Sequence, residues 1–362
     1  MADTDPAITH ATRRHLAAGY RHFYDDRPWR REHGHVPATW LETDTADGCL
    51  AGTASDLACY LRMLMNGGAQ PDGLLLSEAA FDLMTTPHAR LPGARLDPDE
   101  IESGGYGYGI YSYVQDDRHH IGHGGGMVGW HTHMLADRTT GIGAVVLING
   151  PGACESLAEY ALQLLRANAD DQPLPDPPEV RDPMHVENAG DYAGRYRGDD
   201  EDLEVVSFAD GLRMNCGNSA AELVLRENDV FQVQHPDFEL FLLRFERDES
   251  GEIVGVAHGG RYWRADGATS SPADYPNAWS GYPGHYRSHN PWLGNFRIVL
   301  RAGRLYLVTP SGYEEPVTQR GDGLFRVGDE QSPEFISFDT VVDGEAWRAN
   351  YSGCDYYRFF TP

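Results

Sequence analysis

The chain has 362 residues and a formal net charge of −26, because 29 basic residues stand against 55 aspartates and glutamates. This length is enough for two or three domains that each bury a core. The acidic balance, without any basic cluster, argues against binding to nucleic acid or to an anionic membrane surface. All 29 basic residues are arginine, so no mechanism that needs a lysine base can operate with this chain's residues alone.

Cysteine usage and the N-terminus indicate the compartment. The five cysteines include no CxxC pair, which argues against a disulfide framework and against a cysteine-rich zinc site. No apolar run reaches transmembrane length, and the N-terminus lacks the basic start and apolar region of a signal peptide. We therefore expect a cytoplasmic protein, and we predict neither a cofactor nor a metal ion.

The first periodic elements are two helices. Residues 1 to about 48 are polar and irregular, with little to contribute to a core. Thr53 is the predicted cap of a helix that Asn66-Gly67-Gly68 ends, and Ser77 is the predicted cap of a shorter helix that runs through Met84. The apolar face of the first helix consists of Leu57, Tyr60, Leu61 and Leu64.

Strand patterns follow. Gly105–Val114 alternates small and aromatic residues, and 121–149 has the alternation, turn residues and β-branched run of an antiparallel hairpin. Glycines 124–126 remove Cβ atoms, so a ligand can approach this backbone closely, although a tight turn without a ligand explains the stretch alone slightly better. Residues 154–167 then form an amphipathic helix. Its predicted inward side chains are Leu157, Tyr160, Ala161, Leu164 and Leu165.

A Pro- and Asp-rich linker divides the chain, and the pattern beyond it changes to short strands separated by turns. This second half contains a repeat, since Gly194-Arg195-Tyr196-Arg197 recurs as Gly284-His285-Tyr286-Arg287. Two small antiparallel barrels are the natural fold for such a repeat, because a closed sheet has no open edges. The predicted segments are a first domain 1–168, a linker 169–183, a β-barrel 184–266, a linker 267–279 and a β-barrel 280–362.

Of two chemical interpretations of the central stretch, the residues disfavour a metal site, because an exposed polar strand face explains the histidines better, and they exclude an α/β-hydrolase. A metal site would use His119, His120, His123, His131 and His133, but no acidic ligand lies nearby at a recognisable spacing. His123-Gly124-Gly125-Gly126 also matches the oxyanion loop of lipase-type α/β-hydrolases. That class requires a later G-x-S-x-G elbow, which the chain lacks.

A third interpretation depends on the order of several short motifs. They are Gly52-Thr53-Ala54-Ser55-Asp56-Leu57, Asn66-Gly67-Gly68, Gly105-Tyr106-Gly107-Tyr108-Gly109, Gly122-His123-Gly124-Gly125, Gly129-Trp130 and Val145–Asn149. In this order and spacing, residues 48–168 resemble the C-terminal half of the catalytic domain of serine β-lactamase-like proteins. That penicillin-binding family includes class C β-lactamases, D-Ala-D-Ala carboxypeptidases, D-aminopeptidases and related esterases.

The resemblance implies an α+β fold, with the C-terminal part of a β-lactamase-like antiparallel sheet and its helices, followed by two lipocalin-like accessory barrels. His123 would occupy the family's third motif and assist proton transfer or bind a substrate carboxylate. The Gly126 N–H would be one of two oxyanion donors, and strand 126–132 would pair with a peptide-like substrate. The implied catalytic residues are His123, Gly125 and Gly126, and the implied substrate-binding residues are Gly124, Met127 and Tyr108.

The departures from the family are equally informative. The family's nucleophile lies in Ser-x-x-Lys, which cannot exist in a chain without lysine. Its second motif has no counterpart before Gly52, and Tyr275-Pro276-Asn277 lies in a predicted linker. We therefore expect the C-terminal part of a larger hydrolase of peptides, amides or esters, inactive alone.

Such a fragment would leave apolar surface uncovered. Leu57, Leu61, Leu64 and the 143–149 strand would be short of partners, which predicts poor solubility or pairing with another chain. The alternative is a non-catalytic ligand-binding or regulatory protein that uses the paired barrels.

Overall fold

The computed structural model describes residues 1–89, 103–178, 182–268 and 273–359, and the chain divides into two compact units. The first unit is Met1–Phe23 with His35–Glu179, and the second is Tyr24–Gly34 with Val180–Pro362. Residues 179–181 and 269–272 of the predicted linkers, and the terminal 360–362, lie outside the described residues. Within the described ranges, no helix combines the length and apolar character needed to span a bilayer.

An antiparallel sheet and three helices form the core of the first unit. Its helices are α1 (Ala54–Met65), α2 (Glu78–Thr85) and α3 (Cys154–Ala169). Its short strand pairs are β1 (Tyr20–His22) with β2 (His35–Pro37), and β3 (Ala69–Gln70) with β4 (Gly73–Leu74). The main sheet has the order β5 (Ser103–Tyr106), β6 (Tyr111–Gln115), β7 (Arg118–Met127), β8 (Trp130–Asp137) and β9 (Ile142–Ile148).

The predicted helix caps are confirmed. The Thr53 hydroxyl accepts a hydrogen bond from the Asp56 N–H, and the Ser77 hydroxyl accepts one from the Ala80 N–H. Each bond satisfies a backbone donor that the first turn of a helix leaves without an intrahelical partner. Gly67 follows α1 with a φ of +64°, a conformation that glycine adopts without steric cost.

The apolar face of α1 is not short of packing partners as predicted. Leu61 and Leu64 of α1 are almost fully buried in a cluster with Phe81 of α2 and Ile121 of β7. The apolar face of α1 is therefore largely covered, and the prediction that it lacks partners is wrong for Leu61 and Leu64. Leu57 is half-buried.

The inward face of α3 also differs from the prediction. Cys154, Ala158 and Leu162 are buried, whereas Leu157 is 50% exposed and Leu165 is 44% exposed. Residues four apart lie on one side of a helix, and the small Ala158 in the middle of this row lets α3 lie close to the sheet. The two leucines lie beside this row, so their predicted inward orientation is wrong.

The second unit contains two closed eight-stranded antiparallel barrels, which confirms the predicted combination of a part with both helices and an antiparallel sheet and two β-barrels. The first barrel is β10 (Gly194–Arg197), β11 (Leu203–Phe208), β12 (Gly211–Cys216), β13 (Ser219–Glu227), β14 (Val230–Val233), β15 (Leu243–Arg247), β16 (Ile253–His258) and β17 (Arg261–Ala265). The second is β18 (Gly284–Arg287), β19 (Phe296–Arg301), β20 (Arg304–Val308), β21 (Glu314–Gly321), β22 (Leu324–Val327), β23 (Phe335–Val342), β24 (Glu345–Tyr351) and β25 (Cys354–Phe359). A short helix, α4 (Ala189–Tyr192), precedes the first barrel.

The sequence repeat corresponds to a repeated structural feature. Tyr196 in β10 and Tyr286 in β18 are buried at equivalent positions, and each hydroxyl donates to the carbonyl oxygen four residues earlier, Tyr192 O at 2.8 Å and Tyr282 O at 2.7 Å. Burial raises the pKa of both phenols to about 12. The first strand of each barrel is therefore tied to the preceding residues by the same buried tyrosine hydrogen bond.

Candidate functional site

The β7–β8 hairpin carries most of the predicted site residues. Strand β7 pairs with β8 from His120 to Met127, and Val128 and Gly129 form the turn between them, with a φ of +96° at Gly129. The predicted single strand 126–132 is therefore wrong, because this turn divides it between β7 and β8. On its other side, β7 pairs with β6 only from Arg118 to Gly122. Within the described residues, the stretch from His123 to Met127 thus has one backbone edge that no strand occupies.

His123 lies at the start of this free edge, between two tyrosines. Its Nε2 is hydrogen-bonded to the Tyr106 hydroxyl at 2.8 Å. Its ring stacks on Tyr111, with the ring centroids 5.1 Å apart and the planes 12° from parallel. The imidazole is therefore held in one orientation beside the glycines. Tyr106 and Tyr111 were not predicted as site residues, although both belong to the alternating aromatic pattern of 105–114.

The glycines of β7 serve different purposes. A Cβ at Gly122 would lie 2.6 Å from the backbone oxygen of Met134, and one at Gly125 would lie 2.6 Å from the Thr132 hydroxyl. At Gly126, the nearest atom to such a Cβ is a ring carbon of His131, 3.9 Å away. Gly122 is therefore required by packing against β8, whereas the exposed Gly126 has open space in front of it.

A matched pair of substitutions separates these two purposes. We expect Gly122→Ala to lower the free energy of unfolding by about 1–3 kcal/mol, because the methyl group overlaps a backbone atom. Gly126→Ala is expected to change it by less than about 1 kcal/mol in either direction, since the methyl group finds space and alanine restricts the unfolded chain. Urea unfolding of the two variants measures both values, and equal destabilisation would contradict this assignment.

The other predicted residues lie around the hairpin. Met127 is half-buried and pairs with Trp130 across the turn, and Gly124 pairs with His133. Tyr108 is placed against α2 instead, because its ring packs on His88 and its N–H donates to Met84 O.

The two histidines of β8 have different surroundings. His131 is exposed, and its Nδ1 is hydrogen-bonded to Gly150 O at 2.9 Å, whereas His133 is buried. Among the described residues, no group of three histidine, cysteine or acidic side chains is arranged to hold a metal ion.

A buried charge network fixes the far end of the hairpin to α3. Asp137 has no solvent exposure, and its carboxylate accepts hydrogen bonds from Arg166 Nε at 2.9 Å and from the Thr139 N–H at 2.9 Å. Burial alone would raise the pKa of Asp137, but hydrogen bonds from Thr140 and the charge of Arg166 outweigh it and lower that pKa. The carboxylate is therefore ionised in the folded protein at neutral pH.

His120 completes this network. Arg166 Nη2 donates to His120 Nε2 at 2.8 Å, and His120 Nδ1 lies 3.1 Å from Arg118 O. Burial, together with the charge of Arg166, lowers the pKa of His120, so the ring is neutral and accepts the hydrogen bond from Arg166 at Nε2. The network therefore has a structural purpose, which is to hold β7, β8 and α3 together.

Several solved protein structures are similar to this chain. No curated protein matches the chain. Among solved structures, the chain is similar to an octameric penicillin-binding protein homologue from Pyrococcus abyssi (21% identity, 73% of this chain and 56% of that chain, TM-score 0.39). It is also similar to SurE (23% identity, 69% and 55%, TM-score 0.27) and to a D-stereospecific amidohydrolase from Streptomyces sp. (20% identity, 44% and 43%, TM-score 0.33).

The chain thus spans about half the length of the solved structures that it matches. The family model described as Beta-lactamase matches residues 1–168, the range that contains the free edge of β7, His123 and the supporting helices. The first 168 residues of this chain belong to the serine β-lactamase-like family.

Proposed function

We propose that the chain provides one wall of an acyl-transfer site for peptide, amide or ester substrates, and that the nucleophile of this site lies outside the chain. The free backbone edge of β7 beside a fixed histidine carries the proposal. A peptide-like substrate pairs with His123–Met127 as an added strand, so its backbone groups satisfy those that no strand occupies.

The chemistry of the wall follows from its composition. Backbone N–H groups at exposed glycines reach a substrate oxygen without obstruction by their own side chains, and Gly126 is exposed on the stretch of β7 that β6 does not pair with. Such donors stabilise the negative charge that develops in a tetrahedral acyl-transfer intermediate. His123 lies at the start of the same edge, where its ring, held by Tyr106, moves a proton or binds a substrate carboxylate.

The nucleophile is the missing component. In this family a serine is activated by a lysine amine in Ser-x-x-Lys, and the chain has no lysine at any of its 362 positions. Arginine cannot substitute for it, because its guanidinium stays protonated and cannot accept the serine proton. The proposal therefore requires a further segment or a partner chain that carries this motif.

Strand β9 is the proposed place for that addition. It lies at the edge of the sheet, and its residues Ile142–Ile148 are apolar or glycine and only partly buried. An exposed apolar edge strand offers unpaired backbone groups and an apolar surface to another strand. We propose that the missing segment pairs with β9.

The barrels resemble lipocalin-like accessory domains in their eight consecutive antiparallel strands, and we propose that architecture for them. The interiors of the barrels are relevant to the alternative function, which is the binding of a ligand by the paired barrels. Buried side chains such as Leu203, Phe231 and Trp263 fill the first barrel, and Tyr286, Ile298 and Phe325 fill the second. Dense packing of this kind favours a structural purpose over the binding of a small molecule inside a barrel.

Turnover assays test the proposed function. The purified chain is incubated with a chromogenic β-lactam and with p-nitrophenyl esters, beside His123→Ala as the matched control. We expect both proteins to give the same background rate, because neither contains the nucleophile. Hydrolysis that increases in proportion to the chain's concentration and is lost in His123→Ala would contradict the proposal.

A further inference from the structure

Three rings meet beside the free edge of β7, and all three belong to the first unit: Tyr106, Tyr111 and His123. The ring centroids of the two tyrosines are 5.3 Å apart, and those of Tyr106 and His123 are 5.8 Å apart. Tyr111 stacks on His123 and so fixes the plane of the imidazole, whereas the Tyr106 hydroxyl bonds to Nε2 at the edge of that ring. The two tyrosines therefore act on different properties of one histidine.

The backbone of Tyr106 is fixed from two sides. On one side it pairs with Tyr111 of β6. On the other side its N–H donates to Ala89 O at 2.8 Å, and its carbonyl oxygen accepts a hydrogen bond from the His88 N–H at 2.9 Å. The hydroxyl that contacts His123 is therefore carried by a backbone with little freedom to move.

Glycines on both sides of Tyr106 allow this close packing. A Cβ at Gly105 would overlap the carbonyl oxygen of Ala89, and a Cβ at Gly107 would overlap that of Met84. Any other residue at these two positions would push the strand away from its neighbours. The Gly105-Tyr106-Gly107 motif thus places one tyrosine hydroxyl at a defined position beside His123.

The hydrogen bond between Tyr106 and His123 bears on which ring nitrogen carries the hydrogen. A neutral imidazole has one N–H donor and one nitrogen with a lone pair in the ring plane. That lone pair is a stronger acceptor than a phenol oxygen, so donation from the hydroxyl to Nε2 is the favourable direction. The bond at one ring nitrogen sets the protonation of the other, which places the hydrogen on Nδ1. Within the part of the chain that the structure describes, Nδ1 has no hydrogen-bond partner.

We infer that Tyr106 is a positioning residue that holds His123 as the Nδ1–H tautomer, so that His123 offers a substrate a hydrogen-bond donor and not a base. Nε2 accepts no proton from a substrate while the Tyr106 hydroxyl occupies its lone pair, and Nδ1 already carries a hydrogen. The capacity left to the ring is donation from Nδ1 to a substrate oxygen. This inference rests on the proposed function for the presence of a substrate, and it selects binding over proton transfer as the purpose of His123.

Nuclear magnetic resonance of the full chain, with ¹⁵N in its 16 histidines, tests the inference. Long-range ¹⁵N–¹H correlations are recorded at mildly alkaline pH, where a free imidazole is neutral. They distinguish a ring nitrogen that carries hydrogen from one that has a lone pair. His123→Ala identifies the signals of His123 by their loss. We expect a single Nδ1–H pattern for His123 in the unmodified chain.

Tyr106→Phe is the decisive variant, because it keeps the aromatic ring and removes the hydroxyl. We expect His123 to lose the Nδ1–H pattern and to show the Nε2–H form, which predominates for histidine in water. Tyr111→Phe is the matched control, since it keeps the stacked ring and the Tyr106 hydroxyl, and it should retain the Nδ1–H pattern. His120, whose Nε2 accepts from Arg166, should keep its own pattern in each variant and shows that the first unit is folded.

Two results would overturn the inference. An Nε2–H pattern for His123 in the unmodified chain would show that Tyr106 does not set the tautomer, and this measurement does not depend on the folding of a variant. An Nδ1–H pattern that persists in Tyr106→Phe, with the signals of His120 unchanged, would show that the tautomer has another cause. The spectra need neither substrate nor turnover. Hydrolysis by the chain would therefore contradict the proposed function without altering the tautomer, and the two proposals fail independently.

Discussion

Replacing Asp137 by alanine is expected to destabilise the first unit by about 3–5 kcal/mol, the loss typical of breaking a buried ion pair from one side. The substitution leaves Arg166, whose side chain is 14% exposed, without its carboxylate partner. It also removes the acceptor of the Thr139 and Thr140 N–H groups in the turn before β9. Urea unfolding followed by hydrogen exchange in β8 and α3 measures this unit separately from the barrels.

Asp137→Asn is the matched control, because the amide oxygen still accepts the two turn hydrogen bonds while the charge is lost. We expect a smaller loss, about 1–3 kcal/mol. The lowered pKa of Asp137 also makes the stability of the first unit depend on pH. The stability from this carboxylate is fully present above its ordinary pKa of 3.8, and it is lost as pH falls through the lower folded value. Equal stabilities for the alanine variant and the unmodified chain at neutral pH would contradict the proposed purpose of the network.

A positive charge on β9 is expected to change the association state of the chain. If the apolar edge of β9 is a docking site, the isolated chain should self-associate, with a mass above the 40.1 kDa of the monomer. Leu147 is 38% exposed on this strand. Leu147→Arg should restore the monomer, because a charged side chain on an edge strand opposes the addition of another strand. Size exclusion with light scattering measures both masses.

Leu324→Arg is the control for this prediction, because Leu324 is 42% exposed but lies on the second barrel. It should leave the association state of the chain unchanged. A clean, stable monomer for the unmodified chain would contradict the proposal that β9 needs a partner. Association that Leu147→Arg does not reduce would show that a different surface is responsible.

Local sequence signals predicted the elements of the fold well. Thr53 and Ser77 cap α1 and α2 because a hydroxyl at these positions can accept a backbone hydrogen bond, and that chemistry depends only on neighbouring residues. The hairpin of β8 and β9, with its turn between Asp137 and Ile142, follows from alternation and turn residues in the same way. The turn at Val128 and Gly129 was not predicted. The repeated Gly-x-Tyr-Arg strand likewise indicated a duplicated β unit, and two closed barrels are present.

Features that depend on distant residues were not predictable. The rotation of α3, with Ala158 inward and Leu157 exposed, depends on how closely the helix approaches the sheet. The hydrogen bond between Tyr106 and His123 depends on the pairing of β5, β6 and β7. The Arg30 contact spans 203 residues, and no local pattern in the polar N-terminal segment indicates that it binds a barrel.

We propose that this chain provides one wall of an acyl-transfer site without its nucleophile. Reaction with a fluorophosphonate probe, followed by intact-protein mass spectrometry, tests it most directly, because such probes label an activated serine covalently. We predict an unchanged mass for the folded chain at an excess of probe. A single adduct at one equivalent, located on a serine and blocked by a β-lactam or an ester substrate, would contradict the claim.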